Sequence, residues 1–177
     1  MEARSLKFVV EACAAKLKGG SADALVRRTC TDSRQAQAGD LFFAIRGEHF
    51  DGHDYLNEVA AKGVAAVVVA KSRAGSARGA GRTPRRGPPV KLAGCAVLVV
   101  DDPRAALGRF AAAYWREFDL PVVCVGGSNG KTTVKELIAS TLRQKLATLW
   151  SEASFNNDIG VPLTLLRLEK SHQAAVL

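Results

Sequence analysis

The sequence predicts an α/β protein built on mostly parallel sheets, and three observations carry that prediction. Solid apolar runs alternate with helix-forming stretches along the 177 residues. Runs such as "VAAVVVA" and "CAVLVV" lack the polar alternation of a half-exposed strand, so they read as strands covered on both faces. Glycines, prolines and capping aspartates fall between runs and helices, where turns are needed.

Taken in order, residues 5–18 read as an amphipathic helix stopped by Gly19 and Gly20. "ALVRRTCTDSR" is a strand entering a polar turn, and residues 41–45 are a short apolar strand between glycine-containing turns. "DYLNEVAAKG" is a helix ended by Gly63, followed by the buried strand "VAAVVVA". "CAVLVV" is the next strand. Asp102 then caps a helix whose first turn holds Pro103. "DLP" at 119–121 breaks that helix and is the expected domain boundary. Beyond it come a strand at 121–125, a helix at 131–146, a short strand near "ATLW", a helix around "GVPLTLLRLE" and the start of a buried strand at "QAAVL".

Composition narrows the function. With 47% hydrophobic and 24% charged residues the chain has ordinary globular composition, and no apolar run approaches the roughly 20 residues of a membrane span. Glu2 and Glu11 interrupt the opening stretch, so it is not read as a signal peptide, and a cytoplasmic protein is expected. Cys13, Cys30, Cys95 and Cys124 are scattered without a C-x-x-C pair, which argues for plain thiols rather than a zinc site or a disulfide scaffold. The net charge is +8, but residues 71–91 hold seven Lys or Arg and no acid. That Gly/Pro/Ala/Ser-rich run reads as a solvated insertion. It has no interleaved aromatic residue for base stacking, which makes nucleic acid an unfavoured partner.

The chemistry concentrates at residues 122–136, "VVCVGGSNGKTTVKE". A strand, a glycine loop and a helix follow one another, the arrangement that cradles a phosphate. Gly126, Gly127 and Gly130 let backbone N–H groups turn inward, Lys131 brings a point charge, and Thr132 brings a hydroxyl able to ligate Mg²⁺. The longer phosphate loop, G-x-x-x-x-G-K-[ST], would need glycine where this chain has Val125, so the loop is a shorter variant.

In that form, "GGSNGKTTVKE" resembles the ATP-binding loop of the Mur ligase family, whose members build the peptide stem of bacterial peptidoglycan. "TDSRQAQAGDLFFAIRGEHFDGHDYLNEVAAKGVAAVVV", residues 31–69, is similar to the family's N-terminal nucleotide-sugar domain. "SFNNDIGVPLTLLRLE", residues 154–169, is similar to the segment after the loop helix in the branch that adds the terminal dipeptide. The branch adding the third stem residue has an Asn-Thr-Thr run where this chain has Asn157, Asp158 and Ile159. The resemblance covers the chain apart from residues 71–91.

What the resemblance implies is specific. Residues 1–117 would form a small α/β domain binding the UDP-sugar, and residues 118–177 would begin a P-loop ATPase domain with a parallel sheet. The activity implied is ATP- and Mg²⁺-dependent joining of D-alanyl-D-alanine to UDP-N-acetylmuramoyl-tripeptide through an acyl phosphate, by a monomer with no membrane association. Gly127, Ser128, Asn129, Gly130, Lys131, Thr132 and Thr133 would wrap ATP, with Lys131 on the β/γ-phosphates and Thr132 on the metal. Ser33 and Arg34 of the D-S-R turn, with Asn156 and Asn157, would bind the nucleotide-sugar substrate.

Bland readings stand beside these. Arg34 pairs with a phosphate or a nearby carboxylate, and Asn157 binds ligand or caps a helix. Asp32 and His53 read as turn residues, Phe42 as core and Asp158 as a cap. The family's further metal ligands, a modified lysine and a C-terminal domain have no counterpart in these residues. The chain is therefore expected to be an N-terminal fragment, inactive in ligation by itself. Besides a standalone truncated copy that keeps only UDP-sugar binding, three alternatives remain. One is the third-residue branch of the same family. Another is folylpolyglutamate synthase, which shares the ATP loop but should lack the D-S-R domain. The third is a basic, nucleic-acid-binding P-loop module using residues 71–91.

Overall fold

The structure, a computed structural model, describes residues 1–73, 92, 94–152 and 157–177. They form two compact units, one of Ala3–Arg109 and one of Phe110–Leu177 with Met1–Glu2. The α/β class with parallel sheets expected from the apolar runs is what both units display. Among the described residues no helix is long and apolar enough to cross a membrane.

The first unit opens with β1 (Arg4–Ser5) and α1 (Leu6–Cys13), followed by β2 (Lys16–Lys18), β3 (Leu25–Val26), β4 (Thr29–Cys30) and a 3₁₀ turn, Ser33–Gln35. Next come β5 (Leu41–Phe43), a second 3₁₀ turn at Gly52–Tyr55, α2 (Leu56–Ala61), β6 (Ala66–Ala70), β7 (Ala96–Val100) and the start of α3 (Pro103–Trp115), whose residues from Phe110 on belong to the second unit. Five strands make one sheet in the order β2-β7-β6-β5-β4. Strands β4 to β7 are parallel, and β2 runs antiparallel to β7 at the edge. β1 pairs separately with β3.

The solid apolar runs behave as their composition requires. Every residue of β5 and β7 is buried, and so is β6 up to Val69. Phe42, Val67, Val69, Val97 and Val99 form one core with Leu56 and Val59 of α2. By strand alternation Leu41, Phe43, Val68 and Leu98 face the other side, and they are buried too. Burial pushes the Cys13 thiol up to about 12, against a smaller opposing pull from Arg109, and Cys95 up to about 11. Cys124 is exposed.

The first helix departs from expectation. It ends at Cys13 because Ala14 takes the left-handed conformation, φ 51°, and the chain reverses into β2. Gly19 and Gly20 therefore stop nothing. Gly20, at φ +78°, lies so close to β7 that a Cβ there would stand 2.5 Å from the Ala96 Cβ.

In the second unit, β8 (Val122–Val123) leads through a loop to α4 (Lys131–Leu142), then β9 (Thr148–Trp150), α5 (Gly160–Leu165) and β10 (Ala174–Val176). The helices are shorter than read from sequence, since turns occupy 143–146 and 166–167. All three strands are parallel, in the order β8-β10-β9. Tyr114, fully buried, donates its hydroxyl to the Leu168 carbonyl at 2.5 Å and accepts the Glu2 N–H at 2.8 Å.

Removing that hydroxyl leaves a buried carbonyl without its donor. Tyr114→Phe should therefore cost about 1–3 kcal/mol in unfolding free energy, read from a urea melt. A midpoint equal to wild type would show that the hydroxyl contributes nothing.

Candidate functional site

Two places at the carboxyl ends of parallel strands collect chemistry, which is where open α/β sheets bind ligands.

The first is the loop between β8 and α4. Val125 N–H reaches the Leu177 carbonyl at 2.8 Å, and the chain then leaves the sheet. Gly127 at φ 144° and Gly130 at φ 75° carry angles that side chains resist. A Cβ at Gly126 or Gly130 would meet nothing within 4 Å, so the loop stands open. Gly130 is the N-cap of α4 and no side chain caps that helix. The N–H groups at the start of α4, with the positive end of its dipole, therefore face the loop.

Lys131 folds back over the loop, its Nζ donating to the Gly127 carbonyl at 2.6 Å and lying 3.4 Å from that of Ser128. A cation is thus held where a phosphate would need it. Ser128, Asn129, Thr132 and Thr133 are all exposed around it.

Asn157 is placed differently. Its Oδ1 accepts from the Ile159 N–H at 3.2 Å and the Gly160 N–H at 2.7 Å, closing a turn into α5. Asn156 lies outside the described residues, as does most of the basic run at 71–91.

The second place is a cavity of about 290 Å³ in the first unit, where β4 and β5 end. Phe42 and Ile45 form its apolar part, Phe50 and Tyr55 bring aromatic rings, and residues 31–34 supply a polar rim. The D-S-R turn on that rim is held from behind. Asp32 Oδ1 accepts the Arg34 N–H at 3.0 Å, the Cys30 thiol donates to the Asp32 carbonyl at 3.0 Å, and Lys62 Nζ donates to the Ser33 carbonyl at 2.7 Å. Deeper still, buried Asp40 takes both Arg28 Nε (2.8 Å) and Nη2 (2.5 Å) and also caps Gln37 N–H at 2.8 Å. Arg34 forks onto Asp32 at 2.9 and 2.7 Å while its side chain stays 86% exposed. That pair holds the Asp32 carboxyl below its ordinary pKa. Of Arg34's two expected partners, the carboxylate is the one engaged.

Sequence reasoning passed over Phe50, Tyr55 and the Cys30 and Lys62 anchors. An aromatic residue in the glycine-bounded turn "GEHFDGH" was the available signal, and Phe50 is 71% exposed.

His53 is a satisfied turn histidine. Its Nε2 accepts the Ala70 N–H at 3.0 Å and its Nδ1 sits 2.6 Å from Asp51 Oδ1. Arg73 reaches the other Asp51 oxygen at 2.7 Å. Among the described residues no cluster of three or more His, Cys, Asp or Glu could hold a metal ion.

Comparison with known proteins matches both regions to one family. Residues 26–115 match the Mur ligase family catalytic domain and residues 125–177 the Mur ligase middle domain. The UDP-N-acetylmuramoyl-tripeptide–D-alanyl-D-alanine ligase of Synechocystis is 36% identical over 172 residues, covering 97% of this chain and 35% of the relative. The crystal structure of MurF from Acinetobacter baumannii superposes with a TM-score of 0.83 at 33% identity, covering all of this chain and 36% of that one. MurF of Thermotoga maritima in complex with ADP gives a TM-score of 0.65 at 28% identity, over 86% of this chain and 31% of its own. The chain thus spans about a third of the length of the curated relatives it matches.

The Asp51 carboxylate generates a pH prediction. Burial pushes it up, but the His53 backbone N–H, the His53 ring and Arg73 together hold it below its ordinary value. With the folded pKa below the unfolded value of about 3.9, its contribution is complete above about pH 4 and is lost as pH falls through the folded pKa. Unfolding free energy should decline below that pH in wild type and lose this component in Asp51→Asn. An identical acid limb in the variant would contradict the assignment.

Proposed function

Because the chain belongs to the Mur ligase family, we propose that the protein carrying it joins D-alanyl-D-alanine to UDP-N-acetylmuramoyl-tripeptide with cleavage of ATP. The observation that carries this reading is the open glycine loop ahead of an uncapped helix, with Lys131 folded over it. Residues 118–177 begin the ATP-binding domain. Residues 1–117 hold the nucleotide sugar, acting in the cytoplasm and as a monomer.

Residues 127–133 bind ATP through backbone N–H groups, and Lys131 exchanges the Gly127 carbonyl for the β/γ-phosphate oxygens. Thr132 would hold Mg²⁺, which supplies charge neutralisation at those oxygens. In the family's reaction the substrate carboxylate takes the γ-phosphoryl group to become an acyl phosphate. The dipeptide amine then attacks the acyl carbon and phosphate leaves. The chain's share of this work is positioning and electrostatics.

The cavity beside the D-S-R turn suits the uridine diphosphate end. Its aromatic walls accept a flat base, Ser33 offers a hydroxyl, and exposed Arg34 can meet a phosphate with the guanidinium edge that Asp32 does not take. Asn156 and Asn157 of the second unit are proposed substrate contacts by the resemblance alone.

The test uses the gene product that carries this chain, measuring ADP release. Release should require both the UDP-sugar tripeptide and D-alanyl-D-alanine. Lys131→Ala should lower kcat about a thousandfold, whereas Arg34→Ala should raise KM for the UDP-sugar about tenfold with kcat kept. A diamino acid serving in place of the dipeptide, or ADP release indifferent to the UDP-sugar, would refute the proposal.

A further inference from the structure

Lys135 plays no part in the reading above, yet it is the one lysine or arginine buried among the described residues. It stands four residues beyond Lys131, on the same face of α4, and with Ala139 it makes up the buried positions of that helix. Its side chain is 7% exposed and lies 3.4 Å from Glu136 Oε1. Its Nζ also donates to the carbonyl of Ser151.

Ser151 is the first residue beyond β9 and is 1% exposed. Its N–H donates to the Val176 carbonyl of β10 at 3.0 Å. The residue is therefore gripped from two elements, through its N–H by β10 and through its C=O by α4. From there the chain runs on toward Asn157.

Burying an ammonium group costs several kcal/mol, and an apolar side chain of equal length would seat α4 on the sheet without that cost. An apolar side chain cannot hold a carbonyl. We propose that Lys135 is a positioning residue for the ATP-dependent step, fixing against the P-loop helix the point where the chain leaves β9. This rests on the ligase reading above and extends it to a second lysine. The two lysines of one helix face divide the work, Lys131 at the loop carbonyls and Lys135 at the neighbouring strand exit. Loss of Lys135 leaves the glycine loop intact but frees Ser151 and Glu152 at the strand exit. ATP binding survives, and alignment of the substrate carboxylate with the γ-phosphate suffers.

The experiment compares Lys135→Met, which keeps length and loses the donor, with Lys135→Arg, which keeps a cationic donor, in the gene product carrying this chain. ATP dissociation constant, kcat at saturating substrates and backbone hydrogen exchange are measured on each. For K135M we expect ATP affinity within about threefold of wild type and kcat down about a hundredfold. Exchange should be faster at Ser151 and Glu152 but unchanged at 127–133. K135R should recover most of the kcat. Wild-type kcat in K135M overturns the proposal. So does joint loss of ATP binding and kcat, which marks a collapsed helix. If K135M does not fold, Lys135→Gln is read by the same three measures. A wild type that binds ATP but forms no amide refutes the ligase reading instead, and exchange at Ser151 then decides whether Lys135 anchors the strand exit.

Discussion

The second unit depends on β10 lying between β8 and β9. Parallel pairing on both sides brings the carboxyl ends of β8 and β9 to one edge of the sheet. At that edge the first residues past each strand are tied to β10, Val125 through the Leu177 carbonyl and Ser151 through the Val176 carbonyl. Without that central strand, the residues after β8 and after β9 would be linked only through α4, by the chain itself and by Lys135 Nζ on the Ser151 carbonyl. With it, a loop that can approach a phosphate and the strand exit at Ser151 are tied to the same strand. Parallel sheets earn their place in such enzymes for this reason, since every strand delivers its following loop to the same side.

The first unit solves the same problem with different chemistry. Here buried polar contacts shape the turn at the strand ends. Asp40 gathers Arg28 and the Gln37 amide, while Cys30 and Lys62 take up the carbonyls of Asp32 and Ser33. With its backbone spoken for, the D-S-R turn presents the Ser33 and Arg34 side chains toward the cavity. A buried Asp paired to Arg and to a backbone N–H costs desolvation, and here it ties the strand to the turn from two sides.

Much of this was legible in the residues. Fully apolar runs announced β6 and β7, and the strand–glycine–lysine order announced β8, its loop and α4, because both patterns follow from burial and from phosphate chemistry. The first helix misled, since "AAKLK" continues a helical pattern and nothing in composition reveals that Ala14 adopts φ 51°. The cavity could be read only in part, because Phe42, Phe50 and Tyr55 meet through the fold rather than through spacing. Lys135 went unnoticed for another reason. A lysine on a helix reads as a solvated charge, and only its four-residue spacing to Ala139 hinted at the inner face.

The central claim is that residues 127–133 hold the nucleotide, and a crystal structure with Mg²⁺ and a non-hydrolysable ATP analogue tests it most directly. The account predicts triphosphate density over the N-terminus of α4, with Lys131 Nζ moved from the Gly127 carbonyl to phosphate oxygen and the loop backbone little changed. An analogue bound elsewhere, or a loop with Lys131 still on Gly127 beside an ordered nucleotide, would contradict it.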